Sequence, residues 1–342
     1  MKIDPAIMIF VFLIGSATSR RMHPLSDELI DYINSEQTLW RAGRNFPRNT
    51  PLSYLKRLSG TIKEDTRYGN SFAGTPPRYK HIDKCNLPII FDARVEWENC
   101  PSLWDIRDQG ACGSCWAVSA ASAMSDRLCI GSKGRKKVYL SEIDVISCCM
   151  YCGSSCQGGV LSKAWQFAQN KGIVSGGKYD SGKGCRPYTI PPCVHIMTNF
   201  YSPPICGHDD DHFNTICTET CQRNHKISYR KDKVKLRYFY KMTNETQIMT
   251  DIYMKGPVTT SFYLCEDFFN YKYGVYKYTG GKVLGLHSIK LLGWGEERGV
   301  AYWLAANSWN EYWGDKGFFK IIRGINHLGI ESMAYAGVFS SY

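Results

Sequence analysis

Thirteen of the fifteen cysteines fall between Cys100 and Cys221, and this crowding constrains the chain more than any other feature. Cytosolic thiols are kept reduced, so such a density belongs to a chain that folds where disulfides form. The N-terminus agrees. Lys2 precedes an apolar run over residues 6–15, AIMIFVFLIG, followed by Ser16, Ala17, Thr18 and Ser19. A short apolar run ending in small residues is the pattern of a secretory signal, too short to span a bilayer, with cleavage expected after Ala17. No later stretch is apolar enough to span a membrane.

The 342 residues suit one large bilobed domain or two smaller ones behind removable segments. With 44% hydrophobic residues, 22 Tyr and 9 Trp, the chain can bury a core and is not disordered. The formal charge of +11 comes with only short basic runs, KGRKK at 133–137 and YRKDKVKLR at 229–237. Neither carries a recognition motif, so both read as solvated surface, the second as a strand with one wet face, and nucleic acid is not expected as a partner. Residues 20–86 are polar and lack cysteine until Cys85. A helical pattern starts at Ser26-Asp27-Glu28-Leu29, with Leu29, Ile30, Ile33 and Leu39 apolar. Trp40, Phe46 and the stretch from Tyr54 to Leu58 follow, then a linker, Gly74-Thr75-Pro76-Pro77-Arg78. This front part reads as a pro-segment, ordered enough to dock and tethered loosely enough to cut. Residues 116–128 form a buried-helix pattern rich in Ala. After Val234 the pattern turns β-like, with strands expected at 258–264, 274–278, 286–292, 301–306 and 317–322. A helical front half thus precedes a strand-rich back half, an α+β chain.

Residues 109–116 read QGACGSCW. Cys112 and Cys115 stand three apart, a spacing open to a redox pair, half a zinc site, or one structural cysteine beside one reactive one. A thiol attacks as thiolate, so its pKa must be lowered. Cys115 falls in the first turn of the expected helix, where the dipole favours a thiolate. It also needs a histidine. Strand 286–292, the glycine-rich GWGEERG at 293–299 and the strand from Ala301 form a hairpin pattern. The midpoint of His287 and Asn307 is 297, inside that turn, so a hairpin without bulges sets them opposite or nearly so. An imidazole held by an amide is the orienting pair that a cysteine–histidine site requires.

These residues resemble the papain-family cysteine proteases, and specifically the cathepsin B-like ones. QGACGSCW is similar to the family's active-cysteine signature, and LGLHSIKLLGWG and YWLAANSWNEYWGDKGFFKI to its histidine and asparagine motifs. HPLSDEL and SYLKRL resemble the cathepsin B propeptide, and CRPYTIPPC the entry to that subfamily's occluding loop. The likeness runs from Pro24 to Gly337. Family members space the cysteine and its partners by about 130–150 residues. Here the intervals are 172 and 192, consistent with insertion between Cys185 and Cys221.

The resemblance implies a papain-like two-lobed fold, with a helical left lobe, a β-barrel-like right lobe and the active-site cleft between them. It implies a signal peptide over 1–17, a propeptide over 18–86 and a mature peptidase domain over 87–342, with an occluding loop at about 193–206. It makes Cys115 the nucleophile and His287 its proton partner, resting as a thiolate–imidazolium pair. Asn307 would orient the imidazole, Trp309 shield that contact, and Gln109 supply an oxyanion-hole N–H beside that of Cys115. Gly158 and Gly159 would be the backbone ledge for an extended substrate. Cys112 becomes structural, paired with Cys156; the family pattern also pairs Cys100–Cys129, Cys148–Cys217, Cys149–Cys152, Cys185–Cys221 and Cys193–Cys206, leaving Cys85 and Cys265 unassigned. Protein or peptide substrates, inhibition by the chain's own propeptide, cystatin-type inhibitors and a monomer follow from the same likeness. So do the absence of a cofactor or metal and a lysosomal or extracellular, digestive destination.

Five positions depart from the family pattern. The occluding loop usually carries two adjacent histidines that hold a substrate's C-terminal carboxylate. Here His195 fills the first position, with Asp108 expected as its salt-bridge partner, and Ile196 fills the second; Val194 replaces an acidic residue. This implies weak carboxydipeptidase and dominant endopeptidase activity, unless His208 or His212 of GHDDDH substitutes. The acidic floor of the pocket for the residue two before the cut is Met333, and Val160-Leu161 replace Tyr-Pro, so apolar side chains should be preferred there over Arg. Asn244-Glu245-Thr246 is a glycosylation sequon. Rival readings are an inactive papain-like binding protein, a redox enzyme using Cys112 with Cys115, a zinc-binding protein using the cluster from Cys148 to Cys156, and another Cys-His enzyme such as a transglutaminase.

Overall fold

The computed structural model describes residues 22–64, 73–77, 86–195, 204, 206, 213 and 215–340. The signal segment 1–17, Cys85, Ile196, His208 and His212 lie outside them.

The front segment forms α1 (Asp27–Glu36), β1 (Trp40–Ala42) and α2 (Leu52–Arg57). Ser26 caps α1 by accepting from the Leu29 N–H, as a serine before an acidic first turn favours. The body begins with β2 (Phe91–Asp92) and α3 (Ala93–Glu96), then α4 (Cys115–Gly131), α5 (Glu142–Cys148) and α6 (Leu161–Asn170). After a short α7 (Tyr229–Asp232) come β3 (Leu236–Met242), α8 (Glu245–Lys255), β4 (Val258–Cys265), β5 (Tyr271–Tyr276), β6 (Val283–Glu297), β7 (Val300–Ala306), β8 (Phe318–Ile322) and β9 (Ala334–Phe339). The basic run at 229–237 therefore starts as a helical turn and becomes strand only at Leu236; Tyr229 is buried there and donates to Asp144, a contact that a wet strand would not make. Asn244 is exposed and caps α8 by accepting from Gln247 N–H.

The strands make one sheet in the order β1-β5-β8-β7-β6-β4-β9-β3, with β2 paired to the far end of β6. Only β5 and β8 run parallel. The front segment thus supplies the edge strand β1, and its Trp40, Phe46, Tyr54, Leu55 and Leu58 share the core of the strand-rich lobe. A second core, around α4, α5 and α6, fills the helical lobe. α4 is buried nearly all round, which its Ala and Ser residues allow by letting neighbours approach closely. Buried ion pairs tie it to its surroundings: Lys290 Nζ of β6 lies 2.8 Å from Asp126, and Arg127 Nη1 lies 2.9 Å from Asp251 of α8. No helix among the described residues is long and apolar enough to cross a membrane.

The hairpin that carries His287 differs from the expected one in a way that matters. β6 runs on to Glu297, and the turn is only Arg298 and Gly299, both at positive φ, the two-residue geometry suited to antiparallel twist. The register shifts by one between Leu291 and Gly293, so Lys290 opposes Ala306. Asn307 is therefore offset from His287 along the hairpin, still within reach of a diagonal contact.

Candidate active site

Cys115 opens α4, where the first-turn N–H groups and the helix dipole favour negative charge. Its sulfur is fully buried, 3.2 Å from Thr61 Oγ1 and in contact with the backbone N–H groups of Ser288, Gly60 and Trp116. Ser288 follows His287 directly on β6, so the two lobes deliver sulfur and imidazole to one place.

The hydrogen bonds fix the histidine tautomer. Ser308 N–H donates to Asn307 Oδ1 at 2.8 Å, which identifies that oxygen as the acceptor end of the amide. His287 Nε2, 2.7 Å from the same oxygen, must then carry a proton. The other nitrogen, Nδ1, is buried with no hydrogen-bond partner and holds the lone pair when the ring is neutral. Trp309 covers the ring, with centroids 4.8 Å apart, and is itself wholly buried against Phe269. Gln109 is fixed likewise: Ser308 Oγ donates to its Oε1 at 2.7 Å, leaving Nε2 to donate to the carbonyls of Cys112, at 2.7 Å, and Leu58, at 3.4 Å.

The front segment fills this cleft. Thr61 N–H donates to Leu286 O, Ile62 N–H to Gly159 O, and Gly159 N–H to Gly60 O, at 3.1, 2.8 and 2.9 Å. The ledge of Gly158 and Gly159 is thus already occupied, with Thr61 running parallel to Gly159. A Cβ on Gly158 would stand 2.9 Å from the Gly60 carbonyl oxygen, so glycine there lets the strand lie close, while one on Gly159 would stand 2.4 Å from the Trp116 ring beneath the ledge. Thr61 Oγ1 also bonds Ser288 Oγ at 2.7 Å, closing the site above the sulfur. Sequence reasoning did not single out Gly60, Thr61 or Glu64, because pro-segment residues that touch a cleft carry no chemical motif.

Burial changes the charge state expected at rest. It pushes the Cys115 thiol up, against the pull of the Ser288 N–H, the Thr61 hydroxyl and the Gly60 and Trp116 N–H groups. It also lowers His287 to about 4, against the raising effect of the Asn307 bond and, more weakly, of the Leu58 carbonyl, which comes near the ring without hydrogen-bond geometry. Both shifts favour a neutral thiol and a neutral ring. A thiolate–imidazolium pair is thus disfavoured while the segment stays docked.

His195 does not meet Asp108 as expected. Its ring stacks on Phe46 at 4.1 Å and meets Tyr54 edge-on at 6.0 Å, both from the front segment. The Asp108 carboxylate instead accepts from Gly110 N–H at 2.8 Å and Cys193 N–H at 3.2 Å, and burial pushes its pKa up to about 6. Two aromatic rings flank the imidazole, and the carboxylate accepts from two backbone N–H groups and, at 3.5 Å, from Asn310 Nδ2. Met333 is half-buried beside Gly329, next to β9.

The sulfurs pair as Cys100–Cys129, Cys112–Cys156, Cys148–Cys217, Cys149–Cys152, Cys185–Cys221 and Cys193–Cys206. Cys112 is therefore bonded away from Cys115, and the sulfurs at 148–156 are bonded to one another or to other cysteines, which removes the redox-pair and zinc readings. Among the described residues Cys115 and Cys265 are free and buried.

Comparison with known proteins adds the lineage. Residues 87–338 match the papain family cysteine protease model, and residues 25–65 the peptidase family C1 propeptide model. The chain is 41% identical over 341 residues to a cathepsin B-like cysteine proteinase of Schistosoma japonicum, covering 98% of both chains. It is 40% identical over 319 residues to cathepsin B-like cysteine proteinase 4 of Caenorhabditis elegans, covering 92% of this chain and 93% of that one. Its structure resembles proCathepsin B S9 from Trypanosoma congolense, with a TM-score of 0.77 and 32% identity over 93% of this chain and all of the other. With its propeptide and its peptidase domain both matched, the chain belongs to the papain family of cysteine proteases and is one of its cathepsin B-like cysteine peptidases.

Proposed function

We propose that the chain is the zymogen of a cysteine endopeptidase, with a signal peptide over 1–17, a propeptide over 18–86 and a mature enzyme over 87–342. The observation that carries the reading is the 2.7 Å bond between His287 Nε2 and Asn307 Oδ1, with Nδ1 left free and the Cys115 sulfur against the backbone of Ser288. When the propeptide leaves, water reaches the cleft and the burial that suppresses charge is relieved. Nδ1 takes the thiol proton and the sulfur attacks a substrate carbonyl. The Cys115 N–H and Gln109 Nε2, freed from Leu58 O, stabilise the oxyanion. The imidazolium protonates the leaving amine, an acyl-enzyme remains, and water activated by the same nitrogen releases it.

Ile196 in place of a second loop histidine removes a carboxylate ligand, so dipeptide removal from C-termini is weak and internal cleavage dominates. Met333 in place of an acid selects apolar side chains two residues before the cut. The cysteine content and the front apolar run support passage through the secretory pathway to a lysosomal or extracellular, digestive site, with Asn244 as a glycan acceptor. Cystatin-type proteins are the expected inhibitors, and the enzyme is expected to act as a monomer.

Active-site titration with an epoxide inhibitor tests the core of this reading: one equivalent bound by the processed enzyme and none by Cys115→Ala is expected, and no labelling of either refutes it. For the finer claims, a free-acid peptide cleaved far faster than its amidated twin would overturn endopeptidase dominance. An Arg-Arg reporter cleaved faster than Phe-Arg would overturn the Met333 preference.

A further inference from the structure

Past Gly159 the propeptide continues through Ile62 and Lys63 to Glu64, where the enzyme body grips its carboxylate. Ser162 Oγ donates to Glu64 Oε1 and Tyr335 OH donates to Oε2, each at 3.0 Å. Each carboxylate oxygen thus receives its own hydroxyl. The two donors stand on regular structure rather than on mobile loops. Ser162 is the second residue of α6, a helix of ten residues whose N-cap, Val160, offers no side-chain acceptor to its first turn. The positive end of that helix therefore faces the site uncapped by any side chain. Tyr335 lies on β9, paired with Lys241 of β3 on one side and Thr259 of β4 on the other. Lys241 Nζ lies 6.0 Å from the Tyr335 ring and adds positive charge to the same wall.

The place of this pair relative to the chemistry follows from its neighbours. Glu64 stands two residues past Ile62, whose N–H donates to Gly159 O of the substrate ledge, and Ser162 lies in the first turn of the helix that follows that ledge. The hydroxyl pair therefore adjoins the acyl side of the cleft.

We propose that, once the propeptide is removed, Ser162 and Tyr335 form a carboxylate-recognising subsite that makes the mature enzyme prefer substrates with Asp or Glu on the acyl side of the scissile bond. The proposal rests on the cysteine endopeptidase reading and adds to it a substrate class. A carboxylate accepts from both hydroxyls at once, in charge-assisted bonds stronger than neutral ones. A glutamine offers one acceptor and must turn its other hydroxyl partner into an acceptor. A lysine would face the helix N-terminus and Lys241. The expected order is Glu above Gln above Lys. The propeptide strand runs parallel to the ledge, so the register of its side chains is its own and the substrate position must be found by scanning.

The test uses enzyme matured from the full-length zymogen and counted by epoxide titration. Fluorogenic peptides carry Glu, Gln or Lys at each of the positions two to five before the cut. At one position Glu should exceed Gln by about tenfold in kcat/KM, the scale of two charge-assisted bonds over neutral ones. In the Ser162→Ala/Tyr335→Phe double variant that ratio should fall to about one, and in Ser162→Ala alone to an intermediate value, which keeps the test intact if the double variant folds poorly. A wild type with no preference for Glu at any position overturns the proposal. So does a preference that the variants retain, which would make the pair a propeptide anchor only. Wild-type enzyme that titrates with epoxide but shows no acidic preference refutes the subsite and leaves the peptidase reading standing; enzyme that neither titrates nor cleaves refutes both.

Discussion

Replacing Gly60 by alanine should unlock the zymogen without touching a catalytic group. A Cβ built at Gly60 would stand 1.8 Å from the Gly113 carbonyl oxygen and 2.3 Å from its carbon. Both atoms are backbone, held beside the Cys112–Cys156 disulfide, so they cannot swing aside as a flexible side chain would. Ordinary contact lies near 3.5–4.0 Å, so the propeptide must lift by roughly 1.5–2 Å. That movement breaks three backbone hydrogen bonds: Gly159 N–H to Gly60, Ile62 N–H to Gly159, and Thr61 N–H to Leu286. At about 1 kcal/mol each the loss is about 3 kcal/mol, or roughly 100-fold in the open fraction of the cleft. Peptide-resolved mass spectrometry of iodoacetamide labelling at Cys115, in intact zymogen at neutral pH, measures that fraction. Gly60→Ala should label about 100-fold faster than wild type, with Cys265 as an internal control that does not change. Equal rates at Cys115 would show that the close approach of Gly60 to Gly113 does not seal the cleft.

Other outcomes follow from the same geometry. The lowered pKa of His287 has a definite sign. The docked state holds the ring neutral, so its stabilisation is complete above the ordinary pKa of 6.5 and is lost as pH falls from 6.5 toward 4; the contribution is at most about 3 kcal/mol. In the Cys115→Ala zymogen the His287 ring protons should titrate near pH 4 by NMR, and titration near 6.5 would contradict a sealed site. Asp108, pushed up to about 6, works in the opposite direction, since its burial is costly only while it is ionised. Asn307→Ala removes the acceptor that fixes His287 and should lower kcat by about 10–100-fold, part of the roughly 10²–10⁴ that acid–base catalysis supplies, with KM little moved in steady-state assays. Lys290→Met strands the Asp126 carboxylate between α4 and β6 and should cost about 3–5 kcal/mol in denaturant unfolding; pairing it with Asp126→Leu should restore most of the loss.

The parts of the site that sequence made legible are those with local rules. Cys115 at a helix start follows from the small residues before an alanine-rich run, and α4 begins on that residue. The hairpin arithmetic brought His287 and Asn307 near each other, and the turn does fall in GWGEERG, but it takes only the last two residues, Arg298-Gly299, while the first five stay in strand. A one-residue register shift near Leu292 and a shorter turn have no strong signature in a strand this rich in glycine, and the contact survives because a diagonal neighbour is still in reach. The six disulfide pairings came from family likeness, since spacing alone leaves connectivity open. Three features stayed invisible: Thr61 on the sulfur, Glu64 on two hydroxyls, and the diversion of His195 onto Phe46. Each depends on where a distant, motif-free segment docks, which no local pattern encodes.

The front segment does more than plug a groove, because β1 is the outermost strand of the main sheet, hydrogen-bonded along β5. Cutting the linker and losing that strand strips the border of the sheet and leaves the amides and carbonyls of residues 271–274 without their mates. Maturation therefore trades a finished rim for a raw one, ready to accept any extended polypeptide that drifts alongside, including the discarded strand itself. An enzyme shed of its guard would have to work where that guard is soon digested, or be quenched again by its return.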